Sequence, residues 1–195
     1  MAMIFDFDGT LADTMGDHFR AWQKAVGYYG VEIKEEDYYP VEGMSVRDLA
    51  DLFGVPRDAA VKKDVEYRMN HEFKFYEGVE EFVEGLKKKK AIVTARKHAS
   101  LWATVPYKFL EKFDVIVTGD DTVRCKPSPE PYELAMERMG VKPEECTVVE
   151  NSPFGITAAK AAGCYCIAVC TTLGREWLGE ADEIVEDFKD IKVRE

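Results

Sequence analysis

Two aspartates near the N-terminus carry the clearest chemical signal in this sequence. Asp6 and Asp8 alternate with Phe5 and Phe7 in the apolar segment 3–7. Residues two apart in an extended chain project to the same side, so we expect the two carboxylates to lie together. They repel each other unless a cation lies between them or one of them holds a proton. Since Mg²⁺ favours one or two carboxylates together with phosphate oxygens, the pair predicts a site for Mg²⁺ and phosphate.

Other predicted strands deliver polar groups to the same region. One apolar segment ends at Thr94, another ends before Glu150 and Asn151, and the loop after a third carries Lys126. In doubly wound sheets ligands gather outside the carboxyl ends of the strands, so these groups converge on one edge. Arg96 follows Thr94 closely, and it either extends a phosphate pocket or lies in the first turn of the next helix.

The charges of these residues suit a bound phosphate dianion. Asp6 and Glu150 bring the total with the dianion to four negative charges, and Mg²⁺ with Lys126 returns three. This near balance holds if Asp8 is protonated. A free carboxylate beside the metal can attack phosphorus and form an aspartyl-phosphate. The neighbouring carboxyl group then serves as the acid for the leaving oxygen and as the base for water.

The elements around these residues predict an α/β fold with a doubly wound parallel sheet, because short apolar segments alternate with helical patterns. The expected strands are 3–7, 91–94, 115–117, 147–149, 166–169 and, more weakly, 183–185. Expected helices include 79–86, one that Ser128 and Pro129 open and Gly140 closes, and one from Pro153 to Gly163.

Residues 14–77 interrupt this alternation with helical patterns alone. We expect one helix ending at Gly30, a second capped by Ser45 and ending at Gly54, and a third beginning at Pro56. The apolar stripe of the third helix is expected to be Val61, Val65, Met69 and Phe73. A helical insertion after the first strand predicts a lid over the strand ends. The expected domains are therefore a core of residues 1–13 and 78–195 and a helical cap of residues 14–77.

Composition excludes several classes of partner. Lys and Arg number 26 against 37 Asp and Glu, giving a formal net charge of -11, which disfavours nucleic acid and anionic lipid. The longest apolar run, 161–170, is about half the length that a membrane span needs. The N-terminus lacks a basic signal-peptide segment, so we expect a cytoplasmic protein. The five cysteines form no CxxC pair, which argues against a disulfide framework and a zinc site.

Four segments of the chain, in order, resemble the motifs of the haloacid dehalogenase superfamily, and the resemblance covers nearly the whole chain. They are Asp6-Phe7-Asp8-Gly9-Thr10-Leu11, Thr94, Lys126-Pro127-Ser128-Pro129 and Val148-Val149-Glu150-Asn151-Ser152. The insertion resembles the helical cap of the subgroup that contains phosphoglycolate phosphatase and β-phosphoglucomutase. The fold that this implies is a Rossmann-like core with an inserted α-helical cap.

The resemblance also implies roles for individual residues. Asp6 would be the nucleophile and Asp8 the acid and base. Thr94, with Ala95 beside it, and Lys126 would bind the phosphate. The implied Mg²⁺ ligands are Asp6, Asp8 through its carbonyl, Glu150 and Asn151.

Two departures limit what the resemblance implies. Asn151 stands where the motif usually has Asp, which removes one charge from the metal site. The segment around His18 is close to that of β-phosphoglucomutase, in which a histidine couples cap closure to acid and base chemistry. However, Glu42 and its neighbours lack the basic residues with which that mutase holds a second phosphate, and Arg47 is displaced by one position.

We therefore expect a Mg²⁺-dependent phosphatase that hydrolyses a small phosphate monoester through an aspartyl-phosphate intermediate. His18 and Arg47 are the cap residues expected to contact the substrate. Its partner would be a small phosphorylated metabolite, and the expected oligomeric state is a monomer. Two alternatives stay open: a sugar-phosphate mutase, and a catalytically weak phosphate-binding or regulatory protein.

Overall fold

A parallel six-stranded sheet forms the centre of the computed structural model, which describes residues 1–70 and 73–194. The strands are β1 (Ala2–Phe5), β2 (Lys89–Val93), β3 (Val115–Val117), β4 (Cys146–Glu150), β5 (Tyr165–Val169) and β6 (Glu183–Val185), in the spatial order β3-β2-β1-β4-β5-β6. The order reverses direction between β1 and β4, which is the switch point where doubly wound sheets bind ligands. The predicted α/β class is confirmed.

Helices cover both faces of this sheet and surround the strand ends. They are α1 (Met15–Gly27), α2 (Glu35–Tyr38), α3 (Val46–Leu52), α4 (Ala59–Asn70), α5 (Val79–Gly85), α6 (His98–Thr104), α7 (Tyr107–Leu110), α8 (Glu130–Met139) and α9 (Pro153–Ala161). The helix predicted to open at Ser128 and Pro129 begins instead at Glu130, because Pro129 occupies the N-cap position.

Side chains of β1 alternate between two hydrophobic layers. Phe5 packs with residues of α5, α6 and α7 on one face of the sheet. Ile4 packs with residues of α8 and α9 on the other. Within the sheet, Ile4 is in register with Ala91 of β2 and Val148 of β4. Burial on both faces fixes the central strand, and with it the position of the chain that follows Phe5.

Helices α1 to α4 form a third hydrophobic cluster, separate from the two layers of the sheet. Trp22 of α1 is 1% exposed in this cluster. The chain leaves and re-enters the sheet region through two adjacent segments, where Asp13 N–H donates to Lys74 O (3.0 Å) and Tyr76 N–H donates to Leu11 O (3.1 Å). These two crossings fix where the helical insertion sits relative to β1.

The predicted apolar stripe of the third cap helix is wrong. Val61 and Val65 are 65% and 50% exposed, and Phe73 lies beyond the end of α4. The side chain of Met69 lies outside the described residues. The inward side of α4 carries Lys63 and Tyr67, which are 5% and 1% exposed. The apolar spacing gave the wrong buried side because that side of α4 carries Lys63 and Tyr67, which contact the site described next.

In the part of the chain that the structure describes, no helix combines the length and the apolar character needed to cross a membrane.

Candidate active site

Lys126 connects two of the predicted carboxylates at the carboxyl end of the sheet. Its Nζ lies 2.6 Å from Asp6 Oδ1 and 2.6 Å from Glu150 Oε1. All three side chains are buried, and Glu150 is 0% exposed. The two carboxylates raise the pKa of Lys126 against the lowering effect of burial, which is the largest single influence. Lys126 is therefore a fixed positive charge between two strand ends.

Glu150 is already fully engaged by donors. Tyr132 OH donates to Oε1 (2.7 Å), and the backbone N–H groups of Asn151 (2.9 Å) and Ser152 (3.2 Å) donate to Oε2. Together with Lys126, these donors satisfy both oxygens of the carboxylate. The geometry assigns Glu150 the task of holding Lys126 and the turn into α9.

Asn151 lies against the turn that carries Gly9. Its Oδ1 accepts from Thr10 Oγ1 (3.1 Å), and its Nδ2 donates to Thr172 Oγ1 (2.9 Å). Gly9 has a φ of 82°, and a Cβ added there would lie 2.1 Å from Asn151 Nδ2. The position thus requires glycine, both for its left-handed backbone and for this close approach.

One carboxylate oxygen of Asp6 accepts no hydrogen bond from the described residues. Within the described part of the chain, its Oδ2 is the buried side-chain polar atom that lacks a hydrogen-bond partner. Burial raises the pKa of Asp6 to about 7, opposed by Lys126 and reinforced by Glu150. An unsatisfied buried carboxylate oxygen is costly in free energy, so it marks the place where a ligand belongs.

Asp8 faces a different set of partners. Arg96 Nε donates to its Oδ2 (2.7 Å), and Arg96 Nη2 donates to its Oδ1. Thr14 Oγ1 donates to the same Oδ1 (2.6 Å), which also lies 3.0 Å from His18 Nε2. Although burial is the largest influence and acts upward, these donors hold the pKa of Asp8 well below its usual range, Arg96 most strongly.

Without a bound phosphate, the charge of Asp8 is balanced differently from the expectation for a site that holds a phosphate dianion. The expected balance assumed a proton on Asp8, whereas the structure supplies a guanidinium. Arg96 forms the ion pair that neutralises Asp8, just as Lys126 forms an ion pair with Asp6. Of the two alternatives for Arg96, a place in the first turn of the next helix is wrong, because α6 begins at His98. The buried side chain lines the cavity and is bound to Asp8.

His18 links Asp8 to helix α4. Lys63 Nζ lies 2.6 Å from His18 Nδ1, and the imidazole stacks on Tyr67 with the ring centroids 4.0 Å apart. Burial, followed by Lys63, lowers the pKa of His18 to about 3. Because Lys63 can only donate, Nδ1 accepts and Nε2 carries the proton that points to Asp8. His18 is thus a neutral donor in the resting site.

A cavity between the helical insertion and the sheet region lies beside Asp8. Among the residues that line it are Asp8, His18, Trp22, Glu42, Ala95 and Arg96. Burial, with the charges of Asp6 and Asp8, raises the pKa of Glu42 well above its usual range. Thr94 and Lys126 line a smaller adjoining cavity. Arg47 is exposed and lines neither cavity.

The loop that carries Glu42 lies directly on the core. Gly43 has a φ of 92°, and a Cβ added there would lie 3.2 Å from Ser152 Oγ and 3.9 Å from Lys126 Cδ. This loop therefore closes over the end of β4 with almost no space to spare. The arrangement excludes bulk water from the Lys126 side of the site.

The residues present fit a metal ion that takes most of its ligands from water and phosphate and few from the protein. In the described part of the chain, no group of three or more His, Cys, Asp or Glu side chains is arranged to hold a metal. Asp6 Oδ1 and Asn151 Oδ1 each have a second lone pair beside the hydrogen bonds that they accept from Lys126 and Thr10. Mg²⁺ commonly uses one or two protein oxygens together with water and phosphate, and this donor set suits that mode.

The sequence of residues 3–169 matches the family model described as haloacid dehalogenase-like hydrolase. The chain belongs to this family. The match covers the sheet from β1 to β5, including the strand ends that carry Asp6, Thr94 and Glu150. Membership was predicted from the four motifs and is confirmed.

Relatives in the family act on different phosphate compounds. A phosphorylated carbohydrates phosphatase of Thermotoga maritima is 35% identical over 83% of this chain and 81% of its own length. Pyrophosphatase PpaX of Bacillus mycoides is 33% identical over 97% of this chain and 94% of its own length. The solved structure of CbbY from Rhodobacter sphaeroides in complex with phosphate has a TM-score of 0.81 and 28% identity, covering 97% of this chain and 95% of that one. The predicted enzyme class, a phosphoric monoester hydrolase, is confirmed by the phosphatases.

Several residues of the site were not predicted from the sequence. Thr14, Lys63 and Tyr67 contribute to the surroundings of Asp8, and Tyr132 holds Glu150. Lys63 and Tyr67 stand four residues apart and thus on one helical face, which is the signal that could have found them.

Proposed function

We propose that this family member is a Mg²⁺-dependent phosphatase that hydrolyses a small phosphate monoester through an aspartyl-phosphate on Asp6. The observation that carries the proposal is that the buried Asp6 has one oxygen, Oδ2, without a hydrogen bond from any described residue, while Lys126 binds its other oxygen, Oδ1. A carboxylate oriented in this way can attack phosphorus without first breaking a hydrogen bond at the attacking oxygen.

The phosphate group would lie among Asp6, Lys126 and Thr94. Lys126 offers a buried positive charge, which gains strength from the low local dielectric. Thr94 stands at the end of β2, where its Oγ1 accepts from the Arg96 N–H (3.1 Å) and retains a proton to donate. Ala95 lines the cavity beside it and leaves room for the leaving group.

Asp8 would complete both halves of the reaction. Because the resting Asp8 is deprotonated, it would take up a proton as the phosphate dianion binds and pass it to the leaving oxygen in the first half. It would accept a proton from water in the second. His18 supplies a neutral N–H to its carboxylate and connects it to the cap.

Asp6 Oδ1 and Asn151 Oδ1 would hold Mg²⁺ together with oxygens of the substrate, which leaves Asp6 Oδ2 for the attack on phosphorus. When bound, the ion neutralises phosphate charge and polarises the phosphoryl oxygen. Glu150 would not bind the ion, because its oxygens already accept hydrogen bonds, and it would instead hold Lys126 in place.

The helical insertion, residues 14–77, would act as the cap that selects the substrate, with residues 1–13 and 78–195 as the core. The extent proposed for the cap includes residues 71 and 72, which lie outside the described part. Glu42 supports a monophosphate substrate, since an acidic side chain lining the cavity offers no positive charge to a second phosphate group. The lack of a basic group at this position also favours hydrolysis over the mutase reaction, in which a bisphosphate must be held.

The test is a screen of small phosphate esters with Mg²⁺ and with EDTA in place of the metal. The panel contains p-nitrophenyl phosphate, sugar monophosphates, glycerol phosphate and pyrophosphate, and the readout is released inorganic phosphate. We expect release that depends on Mg²⁺ and favours a monoester. Absence of release from every compound would overturn the proposal in favour of a phosphate-binding protein, and interconversion of glucose phosphates without release would establish a mutase.

A further inference from the structure

The guanidinium of Arg96 lies at the boundary between the core and the helical insertion. Its side chain is 4% exposed. Its Cζ lies 5.3 Å from the ring centroid of Phe7, which follows β1, and 4.8 Å from that of Tyr67 on α4. Two aromatic rings from different parts of the chain therefore contact one planar cation.

The N–H groups of this guanidinium have partners on both sides of the boundary. On the core side, Nε and Nη2 donate to Asp8, and Nη1 donates to Thr104 Oγ1 of α6 (2.8 Å). On the cap side, Nη2 also donates to Tyr67 OH. The strongest of these contacts is the paired interaction with the Asp8 carboxylate, which fixes the plane of that group as well as its position.

We infer that Arg96 is a positioning residue that orients Asp8 and makes this orientation depend on the cap lying against the core. The inference rests on the proposed role of Asp8 as acid and base. Tyr67 and His18 belong to the cap, and each touches the Arg96–Asp8 pair. If the cap moves away, the pair loses these contacts while Thr104 keeps its own.

A direct role for Arg96 in holding the substrate phosphate is the competing interpretation. It requires N–H groups that are available to a ligand, whereas four of the five N–H groups of Arg96 are engaged by Asp8, Thr104 and Tyr67. The two roles differ in kinetics. Loss of a phosphate ligand raises KM, whereas a misplaced Asp8 lowers kcat.

Arg96→Lys and Arg96→Ala test the inference on the full-length protein. Lysine keeps the charge but cannot form the paired interaction, so we expect kcat on the best ester to fall about 10²-fold with little change in KM. For Arg96→Ala we expect partial recovery of kcat with millimolar guanidinium ion and less recovery with ammonium. A rise in KM at unchanged kcat would overturn the inference and make Arg96 a phosphate ligand.

Two further variants guard against a simple folding defect. Thr104→Val removes one hydrogen bond from Nη1 and no charge, and we expect a smaller loss of kcat in the same direction. Arg138→Lys is the matched control, because Arg138 lies on α8 and pairs with Asp121 at the surface (2.7 Å). We expect it to keep wild-type kcat. Equal losses in Arg138→Lys and Arg96→Lys would overturn the inference.

Hydrogen exchange of the free protein tests the link to the cap without any substrate. In Arg96→Lys we expect faster exchange of the amides of α4 than in wild type, with no change in Arg138→Lys. Unchanged exchange of α4 would overturn the coupling even if kcat falls. If the wild-type protein hydrolyses no ester, the proposed function fails, and the exchange data still report whether Arg96 joins cap and core.

Discussion

Asp6 and Asp8 stand two residues apart, yet their surroundings come from different parts of the molecule. The surroundings of Asp6 belong to the core: Lys126 and Glu150 follow strands of the sheet, and Tyr132 lies on α8. Asp8 is bound by Arg96 and by two residues of the helical insertion, Thr14 and His18.

The two environments also leave the carboxylates in opposite states. Burial dominates at Asp6 and raises its pKa to about 7, whereas the donors around Asp8 hold its pKa well below the usual range. Asp6 keeps a free oxygen, and both oxygens of Asp8 have donors. The comparison teaches that residues of the sheet region leave Asp6 with an oxygen free for a ligand, whereas Arg96 and residues of the helical insertion together occupy both oxygens of Asp8.

The largest expected effect comes from Asp6→Asn, which removes the attacking group and keeps its size. We expect turnover of every ester to fall at least about 10³-fold, because an amide cannot form the aspartyl-phosphate. Phosphate release and circular dichroism measure activity and folding. Asp187→Asn, at an exposed position, is the control and should keep wild-type activity. Activity of Asp6→Asn above a few per cent would remove Asp6 as the nucleophile.

Lys126→Met breaks the core environment while leaving the cap environment intact. Two buried carboxylates lose their shared cation, so we expect a loss of about 3–5 kcal/mol in the free energy of unfolding. Turnover should fall about 10² to 10³-fold because the phosphate also loses this charge.

Urea unfolding and steady-state kinetics measure these losses. Lys192→Met, which is exposed, is the matched control. Near-normal turnover in Lys126→Met would mean that cations of the cap region can replace Lys126, and the contrast between the two environments would fail.

The surroundings of Asp6 could be predicted from the sequence, whereas most of those of Asp8 could not. The apolar strands and the polar groups at their ends predicted the sheet and brought Asp6, Lys126 and Glu150 together, since parallel strands share one edge. The surroundings of Asp8 were hidden because they depend on which side of α4 faces inward. Val61 and Val65 suggested one side, whereas burial of Lys63 and Tyr67 requires partners that only the folded chain supplies.

His18→Gln tests the cap environment through the pH dependence of stability. The pKa of His18 is lowered from 6.5 to about 3, so the unfolded chain takes up this proton well before the folded protein does. Its contribution to stability is therefore lost as pH falls from about 6.5 towards 3. At pH 5 this loss amounts to about 2 kcal/mol.

The measurement is urea unfolding at pH 7 and pH 5. Because Asp6 titrates in both proteins, its contribution cancels in the comparison between wild type and variant. The fall in stability should be smaller in His18→Gln by about 2 kcal/mol, and the exposed His98→Gln should behave like wild type. The same pH dependence in wild type and His18→Gln would show that His18 is not held neutral by its surroundings.

The smallest expected effect concerns the metal side of the core environment. Asn151→Asp adds a charged oxygen beside Asp6, so Mg²⁺ should bind the free protein about tenfold more tightly, or about 1.4 kcal/mol. In wild type a phosphate mimic should tighten Mg²⁺ more than it does in the variant, because metal and anion bind with mutual enhancement and the added carboxylate repels the anion. Calorimetric titration with and without inorganic phosphate measures both affinities. Gln23→Glu adds a charge on the exposed side of α1 and is the control for net charge. If wild type and Asn151→Asp bind Mg²⁺ equally, residue 151 lies outside the metal shell, and Asp6 remains the single protein carboxylate facing the ion.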